Sequence, residues 1–245
     1  MRDYQYVWLF WSSAFLVPWA VIYLLSPALR RHMLRVSAAT SLLGLTEPIF
    51  VPRYWNPPSL FDLAQRTGFD IESLIFCFAL GGIGAVLYNA LAKRELRPVP
   101  EAERHSARHR FHGPALATPF VAFPLLYALP WNPIYPGIAA LAIGAASNVL
   151  CRPELGRKTL LGGALFLALY AIFMALLVLF APGYIEQVWS LADLSGLLLA
   201  GIPLEELGFG FAFGTYWAGL YEHFTWRATS PRTTSAFASD GGHHG

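Results

Sequence analysis

Long apolar runs separated by short basic or proline-rich breaks set the pattern of this chain. Seven such runs fall at about residues 6–26, 36–51, 69–92, 114–129, 134–151, 159–181 and 203–225. Runs near twenty residues predict membrane-spanning helices, because a helix satisfies its own backbone groups in lipid. Between them, the segment 47–58 (EPIFVPRYWNPP) is punctuated by prolines and cannot stay helical. Residues 59–67 and 190–200 predict short interfacial segments, and 93–110 a polar linker rich in Arg, Glu and His. After Arg227 the chain turns to Ser, Thr and Gly, which predicts an unstructured tail.

Composition agrees with that pattern. Of 245 residues, 56% are hydrophobic and 13% charged, against about a quarter charged in a soluble domain. An integral membrane protein follows. The net charge of +2 gives no reason to expect a nucleic-acid partner. Cys77 and Cys151 both lie in apolar runs, so no disulfide framework is implied. The first run lacks a basic leader and a small-residue cleavage site, so it is expected to stay as a helix. Basic residues set the orientation. With the N-terminus outside and the C-terminus inside, fourteen of seventeen lie on the cytoplasmic side, leaving Arg2, Arg53 and Arg66 outside.

An internal repeat organises the chain further. Shifted by 133 positions, residues 68–88 match residues 201–221 at Gly68, Glu72, Leu74, Phe76, Phe78, Ala79, Gly81, Ala85, Leu87 and Tyr88. Pro27-Ala-Leu-Arg-Arg31 similarly resembles Pro153-Glu-Leu-Gly-Arg157, and the spacing from Pro48 to Trp55 recurs from Pro182 to Trp189. The expected fold is all-α, with seven transmembrane helices as two parallel three-helix repeats and a connector helix. The expected divisions are a first repeat at 1–92, linker and connector at 93–133, a second repeat at 134–227 and a tail at 228–245.

Candidate chemistry gathers at the starts of the third and seventh spans. Glu205 and Glu206 follow Pro203 in the first turn of an apolar helix; Glu72 and Asp70 stand at the matching place in the first copy. Acids inside a membrane are costly and usually functional, although the dipole of a helix N-terminus also favours such a pair at the interface. About a pseudo-twofold axis, Glu72 and Glu205 are expected to face each other. Carboxylates sharing a dry site cannot all ionise, so one serves as acid and another as base. The sequence does not assign which. Glu47, Tyr54, Trp55, Asn56 and Trp189 fall near the same membrane face, and Phe76, Phe78, Phe209, Phe211, Tyr216 and Trp217 follow the acids. Aromatic faces stabilise cations, while each aromatic taken alone also fits helix packing.

Other classes fail on particular residues. No His-Glu-x-x-His motif is present, and near the spans histidines occur only at edges, as at His112 and His223. Gly210 stands where a Glu-Glu-x-x-x-Arg protease motif needs arginine. Lys93 and Lys158 lie at helix ends, so neither can hold retinal at mid-membrane. Gly82-Ile-Gly84 and Gly208-Phe-Gly210 follow no strand and are not dinucleotide fingerprints.

The repeated three-helix unit ending in Pro203-Leu-Glu-Glu206, with Phe209 following, resembles the integral-membrane lycopene cyclases of the bacterial heterodimeric and archaeal–fungal fused types. The resemblance spans most of residues 1–227. It implies redox-neutral cyclisation of a linear carotene end group by an intramolecular lyase or isomerase. Glu205, Glu206, Glu72 and Asp70 would be catalytic, and Asn56, Trp55, Trp189, Phe76, Phe209 and Tyr216 would bind substrate. It implies no cofactor and no metal, a lipophilic polyene substrate, membrane lipid and other carotenoid enzymes as partners, and residence in the cytoplasmic membrane. The first copy departs from the family pattern, with Asp70-Ile-Glu-Ser73 in place of a Pro-x-Glu-Glu element. A hydratase of the same family and a non-catalytic polyisoprenoid-binding protein are the alternatives.

Overall fold

The computed structural model describes residues 4–231, and its helices follow the apolar runs, broken where the sequence supplies a break. The first run divides into α1 (Val7–Ala14) and α2 (Leu16–Leu25). A 3-10 turn at Pro27–Leu29 leads into α3 (Arg30–Ser41). A second 3-10 segment, Leu42–Thr46, joins α3 to α4 (Glu47–Phe50), where Pro48 occupies the first turn and removes no helical hydrogen bond. After α5 (Leu63–Thr67), Gly68 stops the helix with a φ of 80°. Asp70 then caps α6 (Ile71–Leu91), its Oδ1 accepting the Ser73 N–H at 2.5 Å.

β1 (Arg94–Pro98) and α7 (Glu101–Arg104) precede α8 (His112–Tyr127), which holds Pro119 and Pro124 within it. The second half continues through α9 (Ile134–Cys151), a 3-10 turn at Pro153–Leu155, α10 (Gly156–Phe180) and α11 (Tyr184–Val188). The hairpin of β2 (Leu198–Leu199) and β3 (Ile202–Pro203) then delivers α12 (Leu204–Phe224), and β4 (Arg227–Pro231) follows.

Among the described residues, four stretches are long and apolar enough to cross a membrane: Val7–Leu25, Ile71–Leu91, Ile134–Cys151 and Pro153–Phe180. The other three apolar runs fall outside that set. The α3–α4 run is interrupted by the 3-10 segment, α8 has 16 residues, and α12 carries Glu205, Glu206 and Glu222.

Helices α6 and α12 form the centre of the bundle. Residues 79–87 of α6 are buried throughout. Small residues let the neighbouring helices approach closely. A Cβ on Gly81 would stand 2.3 Å from the Thr40 side chain of α3, and one on Gly214 would stand 2.5 Å from Cβ of Phe166 on α10. Towards the C-terminal ends, Lys158 of α10 pairs with Glu222 of α12, and Asn89 of α6 donates to the same carboxylate at 2.9 Å.

At the opposite end, the loops before α5 and after α11 meet. The Asn56 N–H donates to the Val188 carbonyl at 2.8 Å, and the Ser190 N–H donates to the Tyr54 carbonyl at 2.9 Å. These two bonds bring Trp55 opposite Trp189.

One segment differs from the sequence expectation. Residues 228–231, read as the start of the tail, belong to β4, which pairs antiparallel with β1 from Arg94–Pro231 to Pro98–Arg227. Two chain ends leaving the central helices α6 and α12 side by side satisfy their backbone groups on each other. The rest of the expected tail lies outside the described residues.

Candidate functional site

The phase of α12 separates the two adjacent glutamates. Successive helical side chains turn by about 100°, so Glu205 and Glu206 leave the first turn on different faces. Glu206 shares its face with Phe209, Phe213, Tyr216, Trp217 and Leu220, and all of them line one cavity of about 970 Å³. Lining residues continue to Thr225, about 28 Å from Glu206 at 1.5 Å per helical residue. The rest of the wall comes mainly from α1, α3–α4, α6, α8, α9 and α10. The cavity is elongated and almost wholly apolar. It opens on a flank where Leu43 and Phe120, both lining it, are 38% and 70% exposed.

Glu206 is buried at one end of this space with three donors. The Tyr54 and Tyr170 hydroxyls and the Trp189 indole N–H, the last at 2.8 Å, all donate to its carboxylate. They come from the 51–58 loop, from α10 and from the loop after α11. Burial, and then the Glu206 charge, push the Tyr54 phenol well above its usual value, so it stays a donor. Three donors from three separate elements fix the position of this carboxylate.

The second carboxyl of the cavity is Glu47, from the first turn of α4. It is 7% exposed, and its Oε1 has no hydrogen-bond partner among the described residues. Aromatic rings crowd this end. Trp8 meets Trp55 edge-on at 4.6 Å, Trp8 lies 5.2 Å from Phe76, and Trp55 lies 5.3 Å from Trp189.

The residues singled out in the sequence divide accordingly. Glu206, Trp55, Trp189, Phe76, Phe209 and Tyr216 line the cavity together. Glu205, Glu72, Asp70 and Asn56 do not. The Glu205 carboxylate accepts the Tyr135 hydroxyl at 2.7 Å and the Ser195 N–H at 2.8 Å. Glu72 is fully buried and accepts the Leu60 N–H at 2.7 Å, anchoring the segment before α5. Asp70 is the cap of α6, and the Asn56 side chain is exposed. The carboxyls that share the cavity are therefore Glu206 and Glu47, not Glu205 and Glu72. The physical reason is helical phase. In α6 the residues in phase with the cavity are Ser73, Phe76 and Cys77, one step round from Glu72.

Sequence reasoning passed over Tyr170, Tyr135, Trp8, Trp11 and Phe15. Tyr170 had a usable signal: it is the only polar side chain in the second half of α10, and a buried phenol needs a partner.

The sequence model of the lycopene cyclase family matches residues 132–224. That span holds α9 through α12, and with them Glu206, Trp189 and Tyr170. The match supports membership of this chain in the lycopene cyclase family and a carotenoid cyclase-type function in carotenoid biosynthesis. Together with the helices long and apolar enough to span a bilayer, it supports a membrane protein. No curated protein and no solved structure matches the chain.

Proposed function

We propose that this lycopene cyclase family member closes the end group of a linear carotene into a ring, as a redox-neutral isomerase, with Glu206 and Glu47 handling the protons. The observation that carries this reading is that two buried carboxyls of unlike surroundings share the aromatic end of one long apolar cavity. Glu206 accepts three hydrogen bonds, whereas the Glu47 Oε1 has no partner among the described residues, so the proposed proton donor is Glu47 and the proposed acceptor Glu206. Glu47 then gives a proton to the terminal double bond, leaving a tertiary cation. A double bond further along the chain attacks that cation and closes the six-membered ring. Glu206 takes a proton from a carbon beside the new cation, which restores a double bond. One proton enters and one leaves, so the product has the mass of the substrate. The proton returns from Glu206 to Glu47 before the next turnover.

The surrounding rings contribute to both ends of the step. Trp8, Trp55, Trp189 and Phe76 present π-faces to a developing cation and keep water from it. Capture of the same cation by water would give the hydratase reading. Glu205, Glu72 and Asp70 serve as anchors for the loops around the cavity rather than as proton carriers.

We also propose the arrangement around this site: seven spans, N-terminus out and C-terminus in, in the cytoplasmic membrane, as two related three-helix units. Three features support it. Basic residues collect on one side. Reciprocal backbone bonds bring Trp55 opposite Trp189, its counterpart 134 positions on. Asn89 donates to Glu222, its partner under the shift of 133.

The test is pigment analysis of lycopene-accumulating cells that express the chain. A product of unchanged mass and shorter-wavelength absorption is expected, and it should vanish in Glu206→Gln. A gain of one water would replace cyclase by hydratase. Unchanged lycopene with the protein in the membrane would reject both.

A further inference from the structure

At the end of the bundle away from Glu206, a second cluster of chemically capable side chains plays no part in the cavity. His109 and His112 come from the linker and the first residue of α8, Cys151 is the last residue of α9, and His223 sits in the last turn of α12. One ligand atom each from His112, Cys151 and His223 lies within 4.8 Å of the other two. Cys151 Sγ stands 3.7 Å from His109 Nδ1 and 3.9 Å from His112 Nδ1.

These separations suit shared ligation. Sulfur at about 2.3 Å and nitrogen at about 2.0–2.1 Å from a tetrahedral zinc ion stand roughly 3.6 Å apart. A second observation points to a ligand independently. His223 is 0% exposed and its Nε2 has no partner among the described residues. Its Nδ1 meets the Asn148 amide oxygen at 2.7 Å. An amide oxygen only accepts, so Nδ1 carries the hydrogen and Nε2 keeps a lone pair. A carbonyl fixing one ring nitrogen is how proteins orient a metal-binding imidazole. His112 is likewise held, stacked on Trp226 at 3.9 Å, with its ring 4.3 Å from that of His223.

We propose that His112, Cys151 and His223 bind one zinc(II) ion, with His109 beside them against Cys151. One thiolate with two imidazoles is a borderline-soft donor set, with no carboxylate among the three to favour magnesium or calcium. Three protein ligands occupy three corners of a tetrahedron and leave the fourth to a further donor. The site ties the start of α8 to the ends of α9 and α12, at the same end of the bundle that β1 and β4 close.

The experiment uses the full chain in detergent, carrying His243→Ala and His244→Ala so that the C-terminal histidines cannot bind metal. Elemental analysis should find one zinc per chain. Replacement by cobalt(II) should give the intense visible bands of a tetrahedral site and a sulfur-to-cobalt charge-transfer band. Cys151→Ser should lose the charge-transfer band, and His223→Ala should lose the metal. Should either variant fail to fold, the cobalt spectrum of the parent chain still decides. A parent chain with no metal above the buffer blank, or with cobalt that shows no thiolate band, overturns the site. None of these readouts uses turnover, so the result is independent of the cyclase proposal.

Discussion

Exchanging Glu205 and Glu206 for glutamine, one at a time, separates the two carboxylates that a single helical step places in different surroundings. Glutamine keeps the shape and one carbonyl acceptor, so neither change empties a space. In Glu206→Gln the amide still meets Tyr54, Tyr170 and Trp189, but the group no longer exchanges a proton or carries a charge. Removing a positioned acid or base costs about 10²- to 10⁴-fold in rate, and that is the expected loss of turnover. In Glu205→Gln the carbonyl keeps the bonds from Tyr135 and Ser195. Each bond falls from about 1.5–3 kcal/mol for a charged acceptor to about 0.5–1.5 kcal/mol for a neutral one. The lower desolvation cost of the amide offsets part of that difference. The net expectation is about 1–2 kcal/mol of stability lost and turnover within about threefold of the parent. The assay is initial rate on lycopene in detergent-solubilised membranes, with thermal unfolding of the same preparations. If Glu205→Gln lowers turnover as far as Glu206→Gln at equal folded amounts, the assignment by helical phase is wrong.

The other predictions test neighbouring parts of the same picture. Glu47→Gln should lower turnover by at least about 10²-fold with little change in melting, whereas Glu72→Gln should lower the melting temperature and spare the rate. Gly44→Ala should destabilise by about 1–3 kcal/mol, since its Cβ would stand 2.7 Å from the Leu74 backbone nitrogen; unfolding in a denaturant series measures it. Gly137→Phe should raise KM more than it lowers kcat. Gly137 faces the cavity, and its nearest neighbour, Phe50, stands 3.8 Å from the Cβ position, leaving room for a ring to intrude. Lys158→Met should cost about 3–5 kcal/mol by leaving Glu222 charged and buried, and adding Glu222→Leu should recover much of that loss.

The gross architecture was legible because lipid makes length and apolarity decisive: the ends of α6, α9 and α10 fall within a few residues of the runs read from the sequence. The interruption of the first run at Phe15 was not, since that segment holds no break residue except Pro18, and proline early in a helix is tolerated. At the site, six of the ten residues singled out line the cavity. The doubled glutamate drew attention by its cost, but its two members needed a phase argument to separate them. That argument was available in the stripe of Phe209, Phe213, Tyr216 and Leu220, which recurs with Glu206 at three and four residues. Glu47 was not recoverable as Glu206's companion. It sits at the repeat position occupied by Ala181 in the second half, so its closeness depends on how the halves pack, and no local pattern encodes that.

The same geometry explains why two acids stand side by side on α12. A helix with a cavity along one face must hold its rotation, because a turn of one residue would carry Glu206 out of reach of its donors. The Ser195 N–H and the Tyr135 hydroxyl grip Glu205 from two elements, and the Leu204 N–H bonds the Leu197 carbonyl at 2.9 Å beside them. These bonds fix the start of α12 against α9 and the β2–β3 hairpin. With rotation fixed by Glu205, the Tyr54, Tyr170 and Trp189 donors meet Glu206 without spending helix motion to do so. A leucine at position 205 would leave Ser195 and Tyr135 without their acceptor and α12 without that restraint. The expected signature is a fall in turnover accompanied by broadened unfolding. Rescue by Glu205→Gln but not by Glu205→Leu would identify position 205 as the helix's rotational anchor.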